Sequence, residues 1–505
     1  MAVLGIQVVF SMVMFTFLHK LAPYYSFGRW LMSKRLYRYL HPTNEELKQL
    51  MTNGNQSSNS KQQSHQSAKA RRRDHRKGAA PATEGKAESF TLPRNIGVQL
   101  DQAPVEDVDL VPLQYYSDYT WLLDFSISAI IVYVLTEVYY ILAPHRVEFN
   151  VSILWCLLAL SFCVRVLASQ AWVYMRTEEG GERVLLITFT FFFLVFAMGV
   201  LVTGDQMLEF GLEEGYRNFS DGAAQFLQKQ GITSQGPVSF ITFKAFLVFF
   251  GTVTASLLAF PGIRMAKLHL DTLKYTQGQK LLQLLLQINY LFPLFIVLMW
   301  VKPLGRNLFC GKGFARARPL LYEDQFDGFR LILILIMCML RLVLMPLFMQ
   351  SHLNLAYEKV EKMKKESGRI SNLDLQRMVA RVFFYLCVVA LQYITPVLII
   401  LFLTFLLKTL SALSWVGFFG ETAVKFFIPG PKPETSYPNL SDTAGNGTLA
   451  SVMGSAAELT VALGDLRGIF TPVWYKGVLS YCLWWVMTVW FSSASLGVMY
   501  YSQNE

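Results

Sequence analysis

The amino-acid sequence predicts an all-α fold, that of a polytopic membrane protein with about nine transmembrane helices plus amphipathic cytoplasmic helices. The first reason is composition, because 53% of the 505 residues are hydrophobic and 16% are charged. The mean hydropathy is accordingly positive, at +0.35. The second reason is that the apolar residues gather in runs of about 20, the length at which a helix crosses a ~30 Å hydrocarbon layer. This pattern excludes an ordinary soluble domain.

Composition and motifs also restrict the function. The net charge of +10 could indicate a nucleic-acid partner, but the Lys and Arg residues mostly flank apolar runs, where membrane topology explains them. Every cysteine except Cys310 falls inside an apolar run, so no disulfide or zinc spacing is present. The sequence also lacks the HExxH, GxSxG and Walker patterns of known catalytic sites. His269 and Asp271 lie close together in the sequence, and we interpret them as a surface pair rather than as a catalytic site. We therefore expect no enzymatic activity, no catalytic residue, no cofactor or metal, and no nucleic-acid partner.

The N-terminal region is predicted to form one apolar helix and one polar loop. Residues 1–22 are expected to be a signal anchor or first transmembrane helix, because no basic segment precedes the apolar run; a cleaved signal peptide is the alternative. Residues 23–117 are predicted to be a basic, partly disordered cytoplasmic loop, with KARRRDHRK at 69–77. Nuclear import or lipid-headgroup binding is the alternative role for that basic cluster.

Residues 118–408 are predicted to form the transmembrane bundle, helices two to eight. The apolar runs lie at 121–142, 150–173, 184–204, 238–260, 281–301, 329–349 and 380–408. A lumenal loop at 205–237 contains a predicted short helix that begins at Ser220 and ends at Gly231. Amphipathic segments are predicted after Pro261 and at 353–375.

The last two segments and the loop charges set the orientation. Residues 409–470 are predicted to be a glycosylated lumenal or extracellular loop, and 471–505 the last helix with a short cytoplasmic tail. Alternate crossing places three of the strongly basic loops on one side, which the positive-inside rule makes cytoplasmic. The basic loop at 302–328 then falls on the other side, against that rule. The sequons at Asn218, Asn439 and Asn446 all lie on the lumenal or extracellular side, where glycosylation occurs.

Polar side chains inside the apolar runs are the candidate functional residues. They are Glu137, Arg165, Lys244, Asn289, Arg341 and Gln392. A charge within the hydrocarbon costs ~2.5 kcal/mol or more, so these residues are expected to face the bundle interior as an intramembrane polar network. One interpretation is a proton or cation pathway in which Glu137 titrates or coordinates. The other is a structural network of ion pairs and amides that fixes helix register.

Several motifs resemble one known family. They are LTEVYY at 135–140, EEGGER at 178–183, LEFGLE at 208–213, NFSD at 218–221, FPGIRMAKLHLD at 260–271 and KKESGRIS at 364–371. Together they resemble the transmembrane protein 161 family, and its B branch more than its A branch, over nearly the whole chain. The departures are the Gln/Ser-rich basic insert at about 53–80 and the loop at 415–455.

The resemblance implies a glycosylated multi-pass protein that restrains calcium and potassium currents, supports cardiac rhythm and protects against oxidative stress. It supplies no site residues. The expected function is thus regulation of ion homeostasis and excitability, with the lipid bilayer and ion channel or pump subunits as partners and a homo-oligomer as one possible state. The alternative is an ion or proton transporter or channel that uses the polar network; a membrane enzyme or lipid scramblase has no residue in its favour. The endoplasmic reticulum and the plasma membrane are both open as locations.

Overall fold

The fold is described here from a computed structural model of the chain. The structure describes residues 5–21, 24–33, 35–49, 90–92, 100–142, 150–176, 180–204, 207–229, 238–310, 321–365, 370–415 and 468–503. Two compact units are present. The first comprises Met1–Gly28, Ser117–Met345 and Val389–Glu505, and the second comprises Arg29–Tyr116 and Pro346–Val388.

Helices dominate the described residues. In chain order they are α1 Ile6–Leu21, α2 Phe27–Met32, α3 Asp107–Leu110, α4 Tyr116–Leu142, α5 Ser152–Arg176, α6 Gly180–Thr203, α7 Leu212–Lys229, α8 Phe240–Tyr275, α9 Lys280–Leu298, α10 Arg306–Phe309, α11 Glu323–Lys365, α12 Asn372–Phe384, α13 Leu386–Leu410 and α14 Pro472–Gln503. Within the described ranges, 8 helical stretches are long and apolar enough to cross a membrane, and α1 is a shorter apolar helix. The all-α, polytopic prediction is confirmed, and the count of nine is reached only when α1 is included.

Three helix boundaries differ from those predicted. Helix α8 continues through Pro261, where the prediction ended the spanning helix, and α11 runs without a break from the predicted span at 329–349 into the amphipathic segment predicted at 353–375. A proline removes one helical hydrogen bond, but packed neighbours let a membrane helix continue past it. Helix α7 begins at Leu212 rather than Ser220, directly after Gly211, whose φ of 73° permits the turn into the helix. Its predicted end, Gly231, lies outside the described residues.

Helix α13 is the most buried helix of the bundle. In its most apolar stretch 94% of the residues are buried, against 28–61% for the other spanning helices. Helix α14 packs closely along α8 through small residues on both sides, and a Cβ added to Gly262 would overlap the side chain of Ser493. Likewise a Cβ on Gly497 would come within 2.7 Å of Ala266. Each helix thus has small residues four apart at the contact, which lets the two backbones approach.

Helix α1 is hydrogen-bonded into the same unit. Gln7 donates to the Tyr140 hydroxyl of α4 over 2.8 Å and accepts from the backbone N–H of Val151 over 3.0 Å. Trp155 of α5 donates to Ser11 over 3.1 Å. In an apolar surrounding such bonds hold helices together, because an unpaired polar group there is costly.

The second unit is built from part of the predicted 23–117 loop together with α12 and the last turns of α11. Two antiparallel pairs form in it: β1 (Tyr37–Tyr39) with β3 (Gln102–Pro104), and β2 (Thr91–Leu92) with β4 (Ile370–Ser371). A small apolar core lies beside them, formed by Leu47, Ala356, Val360, Leu375, Val379 and Val382. Segments distant in sequence therefore meet here, and the described parts of the loop are folded.

Candidate functional site: the buried charges of the helix bundle

The six predicted polar residues do not form one network; the structure places them in separate surroundings. Glu137 pairs with a lysine that the sequence interpretation did not include. Asn289 and Arg341 lie together, and Gln392 contacts a different arginine. Lys244 and Arg165 join neither group. The bundle also contains a larger ionic cluster that the prediction missed.

Glu137 of α4 forms an ion pair with Lys408 of α13. The lysine Nζ donates to Glu137 Oε2, and both side chains are largely buried, with 16% and 17% of their surfaces exposed. About one turn away, Tyr133 of α4 stacks on Phe405 of α13 with ring centroids 4.0 Å apart. The stacked rings hold the two helices in the register that the ion pair requires. Lys408 stands at the end of a long apolar run, where a lysine is normally interpreted as a flanking residue that reaches the membrane surface.

Arg341 of α11 caps a backbone carbonyl that a proline has freed. Pro293 has no N–H to donate to the carbonyl of Asn289, four residues earlier in α9. The Nη2 of Arg341 donates to that oxygen over 3.2 Å. Arg341 is only 3% exposed and Asn289 is fully buried. A proline four residues after Asn289 leaves the Asn289 carbonyl without its helical hydrogen bond. This spacing is visible in the sequence, and it could have suggested that a hydrogen-bond donor from another helix lies nearby.

Two aromatic residues fix the position of Arg341. Tyr393 of α13 donates its hydroxyl to the Arg341 carbonyl over 2.7 Å, and the guanidinium carbon lies 4.0 Å from the ring centroid of Trp490 of α14. The stacking is a cation–π contact, which favours a buried guanidinium. Gln392, next to Tyr393, instead accepts from Arg264 Nε over 3.2 Å. The polar groups around Arg341 thus bring four helices, α9, α11, α13 and α14, into one arrangement.

Lys244 and Arg165 have other surroundings. The Lys244 ammonium lies 4.5 Å from the Phe240 ring centroid, one turn earlier in α8. Arg165 is exposed at the outer surface of the bundle, not in its interior. The described partner of Glu137 is therefore Lys408 rather than either of these two cations.

The ionic cluster missed by the prediction is formed by Glu209, Arg306, Asp327, Arg330 and Lys476, which we call the five-charge cluster. Asp327 accepts from Arg330 over 2.7 Å and from Lys476 over 2.9 Å. Arg306 lies 2.8 Å from Glu209 and 3.6 Å from Asp327. Asp327 and Arg330 are nearly inaccessible, with 9% and 5% of their side-chain surfaces exposed. Desolvated charges at these distances are strongly coupled.

Backbone contacts hold the five-charge cluster in place. Leu208 and Val301 form an antiparallel bridge, and the Glu209 N–H donates to the Trp300 carbonyl over 2.9 Å. Arg330 lies 4.4 Å from the centroid of the Trp300 ring. The described residues that follow α6, those on either side of α10, and the start of α14 therefore meet at one end of the bundle. Each of these charges lies near a loop, where a sequence pattern suggests solvation, and this is why the prediction missed them.

The structure also corrects the prediction that His269 lies at the surface. It is 3% exposed, and its ring stacks on that of Tyr290 with centroids 4.6 Å apart. It is therefore a core residue of α8, not part of a surface pair with Asp271. The amphipathic pattern after Pro261 misled the prediction because the same helix continues into the bundle and packs along α9 and α14.

The remaining features to place are candidate metal ligands, the loop cysteine and the sequons. In the part of the chain that the structure describes, no group of three or more His, Cys, Asp or Glu residues could hold a metal ion. Burial raises the pKa of the Cys310 thiol, which lowers the fraction of reactive thiolate. The sequon residue Asn218 lies half-buried within α7. Asn439 and Asn446 lie outside the described residues.

Comparisons with known proteins agree with the sequence resemblance. A family model described as "Predicted transmembrane protein 161AB" matches residues 2–504. No solved structure matches the chain. The match covers nearly all of the sequence, including the spanning helices, so the protein is an integral membrane protein in a lipid bilayer. The chain belongs to the transmembrane protein 161 family.

Proposed function

We propose that this protein is a membrane regulator of ion homeostasis and excitability that restrains calcium and potassium currents by binding channel or pump subunits. The family resemblance supports this role, and it also suggests contributions to cardiac rhythm and to protection from oxidative stress. The lumenal segments would carry the glycans. The partner would bind through the lipid-facing helices or through cytoplasmic segments, in the plasma membrane or the endoplasmic reticulum.

The observation that carries the proposal is the ion pair of Glu137 with Lys408. A carboxylate that passes cations through a membrane has to attract and release them. Here the charge of Glu137 is already balanced by the ammonium group of Lys408, whose side chain is as buried as that of Glu137. A cation would have to displace Lys408 and leave it unpaired, which is costly away from water. The pair is better suited to fixing α4 against α13.

The alternative function is an ion or proton transporter or channel. The polar groups around Arg341 favour it, because polar side chains at this depth commonly mark a transport pathway. Their charge opposes a cation route, since Arg341 and Arg264, which donates to Gln392, are both positive. Flux through the purified protein distinguishes the two functions.

Recording currents in cells tests the regulator directly. In an excitable cell that lacks this protein we expect larger calcium and potassium currents, and re-expression of the wild type should reduce them to the original level. The matched control is the chain with Asp327→Asn, expressed and checked for amount at the membrane, which is expected to be poorly folded and without effect. Currents that do not change on removal or re-expression of the protein would contradict the proposal.

A further inference from the structure

Arg341 has hydrogen-bonding capacity that the described residues do not use. Its Nη2 bonds to the Asn289 carbonyl, but its Nε and Nη1 are buried without a hydrogen-bond partner. Asn289 is fully buried, and both polar atoms of its side-chain amide also lack a hydrogen-bond partner. Buried polar groups in proteins are normally satisfied, and a buried positive charge normally has a counter-charge. The group that completes this site is therefore absent from the described protein atoms.

Arg330 shows what a balanced arginine looks like in the same helix. Arg330 and Arg341 both lie in α11 and are similarly buried, at 4% and 3% exposure. Arg330 has the Asp327 carboxylate at 2.7 Å and that of Glu209 at 4.0 Å. No described Asp or Glu lies within 4 Å of Arg341, whose neighbours are a backbone carbonyl and an indole ring. Arg330 therefore has a carboxylate partner within the chain, whereas Arg341 has none among the described residues.

A small cavity adjoins the Arg341 side chain. Its volume is about 10 Å³, and its lining consists of Met265, Tyr290, Pro293, Arg341, Trp490, Phe491 and Ala494. A space of this size admits roughly one water-sized particle. Arg341 is the one charged group in the lining. A phosphate, a carboxylate metabolite or a lipid headgroup is too large for it, and a monatomic anion is the smallest kind of group that could supply the missing counter-charge.

We propose that Arg341 binds one small monovalent anion, with chloride as the physiological candidate, in this cavity between α8, α9, α11 and α14. The anion accepts hydrogen bonds from Nε or Nη1 and balances the guanidinium charge inside the bundle. A water molecule could occupy the space but would leave that charge uncompensated. This binding site does not rest on the proposed function, and a regulator or a transporter could each contain it.

The test measures thermal unfolding of the purified full chain in detergent, at constant ionic strength, with sodium gluconate replaced stepwise by sodium chloride or bromide. A ligand that binds only the folded state raises the unfolding temperature in a concentration-dependent, saturable way. We expect such a rise with both halides, and binding of one radiolabelled chloride per chain. Equal unfolding temperatures in gluconate and chloride, with no bound chloride, would mean that only water occupies the cavity and would overturn the proposal.

Two variants locate the effect. Asn289→Asp introduces a carboxylate at the residue whose backbone carbonyl contacts the guanidinium, as an internal counter-charge, so we expect a folded protein with bound chloride reduced at least tenfold. Arg341→Gln should remove chloride binding altogether. The matched control is Lys244→Gln, which removes another cation from the bundle and should retain the wild-type chloride response. A chloride response in Asn289→Asp equal to that of the wild type would also overturn the proposal, and if neither variant folds, the wild-type halide titration still decides.

Discussion

Replacing Asp327 by asparagine is expected to lower the free energy of unfolding by about 3 to 5 kcal/mol, because it leaves buried positive groups without their counter-charge. Asp327 contacts Arg330 at 2.7 Å, Lys476 at 2.9 Å and Arg306 at 3.6 Å. Asparagine keeps the shape and one acceptor oxygen but removes the negative charge. The three cations would then repel one another with Glu209 as the remaining carboxylate in the cluster. Thermal unfolding of the detergent-solubilised protein measures the loss.

Glu323→Gln provides the matched control for Asp327→Asn. Glu323 contacts the same cluster through Arg306 at 3.4 Å, but 74% of its side-chain surface is exposed. Exposed ion pairs contribute about 0 to 1 kcal/mol, so this variant should unfold at nearly the wild-type temperature. If both variants were as stable as the wild type, the five-charge cluster would not be the structural element that we infer.

Breaking the Glu137–Lys408 pair is expected to have the second largest effect. Each side chain is less than one-fifth exposed, so Glu137→Gln or Lys408→Met should each lower the free energy of unfolding by about 2 to 3 kcal/mol, because one charge stays buried without its partner. Exchanging the two charges, as Glu137→Lys with Lys408→Glu, should restore most of the loss. A double-mutant cycle of unfolding free energies measures the coupling, which we expect at about 1 to 3 kcal/mol.

The control for that cycle is Arg165→Gln. Arg165 also lies within a spanning helix but is exposed at the bundle surface, so its removal should not lower stability. If the variant with exchanged charges had as low a free energy of unfolding as the single variants, the two positions would not be coupled. The pair would then not be holding α4 and α13 together.

The helical fold was largely predictable, and its boundaries were not. Runs of about 20 apolar residues identify spanning helices because length and hydropathy act locally along the chain. Pro261 suggested that a helix ends there, and the run at 329–349 was separated from the amphipathic segment at 353–375, yet α8 and α11 continue through both positions. Whether a helix survives a proline depends on its neighbours in the bundle, which no local pattern contains. The same reason explains why the folded part of the 23–117 loop escaped prediction, since its core residues come from distant segments.

For the candidate site, the sequence identified buried charges but not their partners. A carboxylate in an apolar run predicts a partner, and Glu137 has one, but nothing near position 137 points to Lys408, which is 271 residues away. The five-charge cluster was missed because Glu209, Arg306 and Asp327 lie next to loops. Burial of such residues arises only when several segments meet, and that is a property of the tertiary structure.

Ion flux into proteoliposomes that contain only this purified protein tests the central claim most directly, namely that Glu137 and Lys408 form a structural pair in a regulator. Calcium, potassium and proton indicators report uptake, with an ionophore as the positive control. We predict that wild-type vesicles take up these ions no faster than empty vesicles, and that the exchanged pair Glu137→Lys with Lys408→Glu behaves identically. Wild-type flux that disappears in the folded exchange variant would contradict the account and make the protein a transporter or channel.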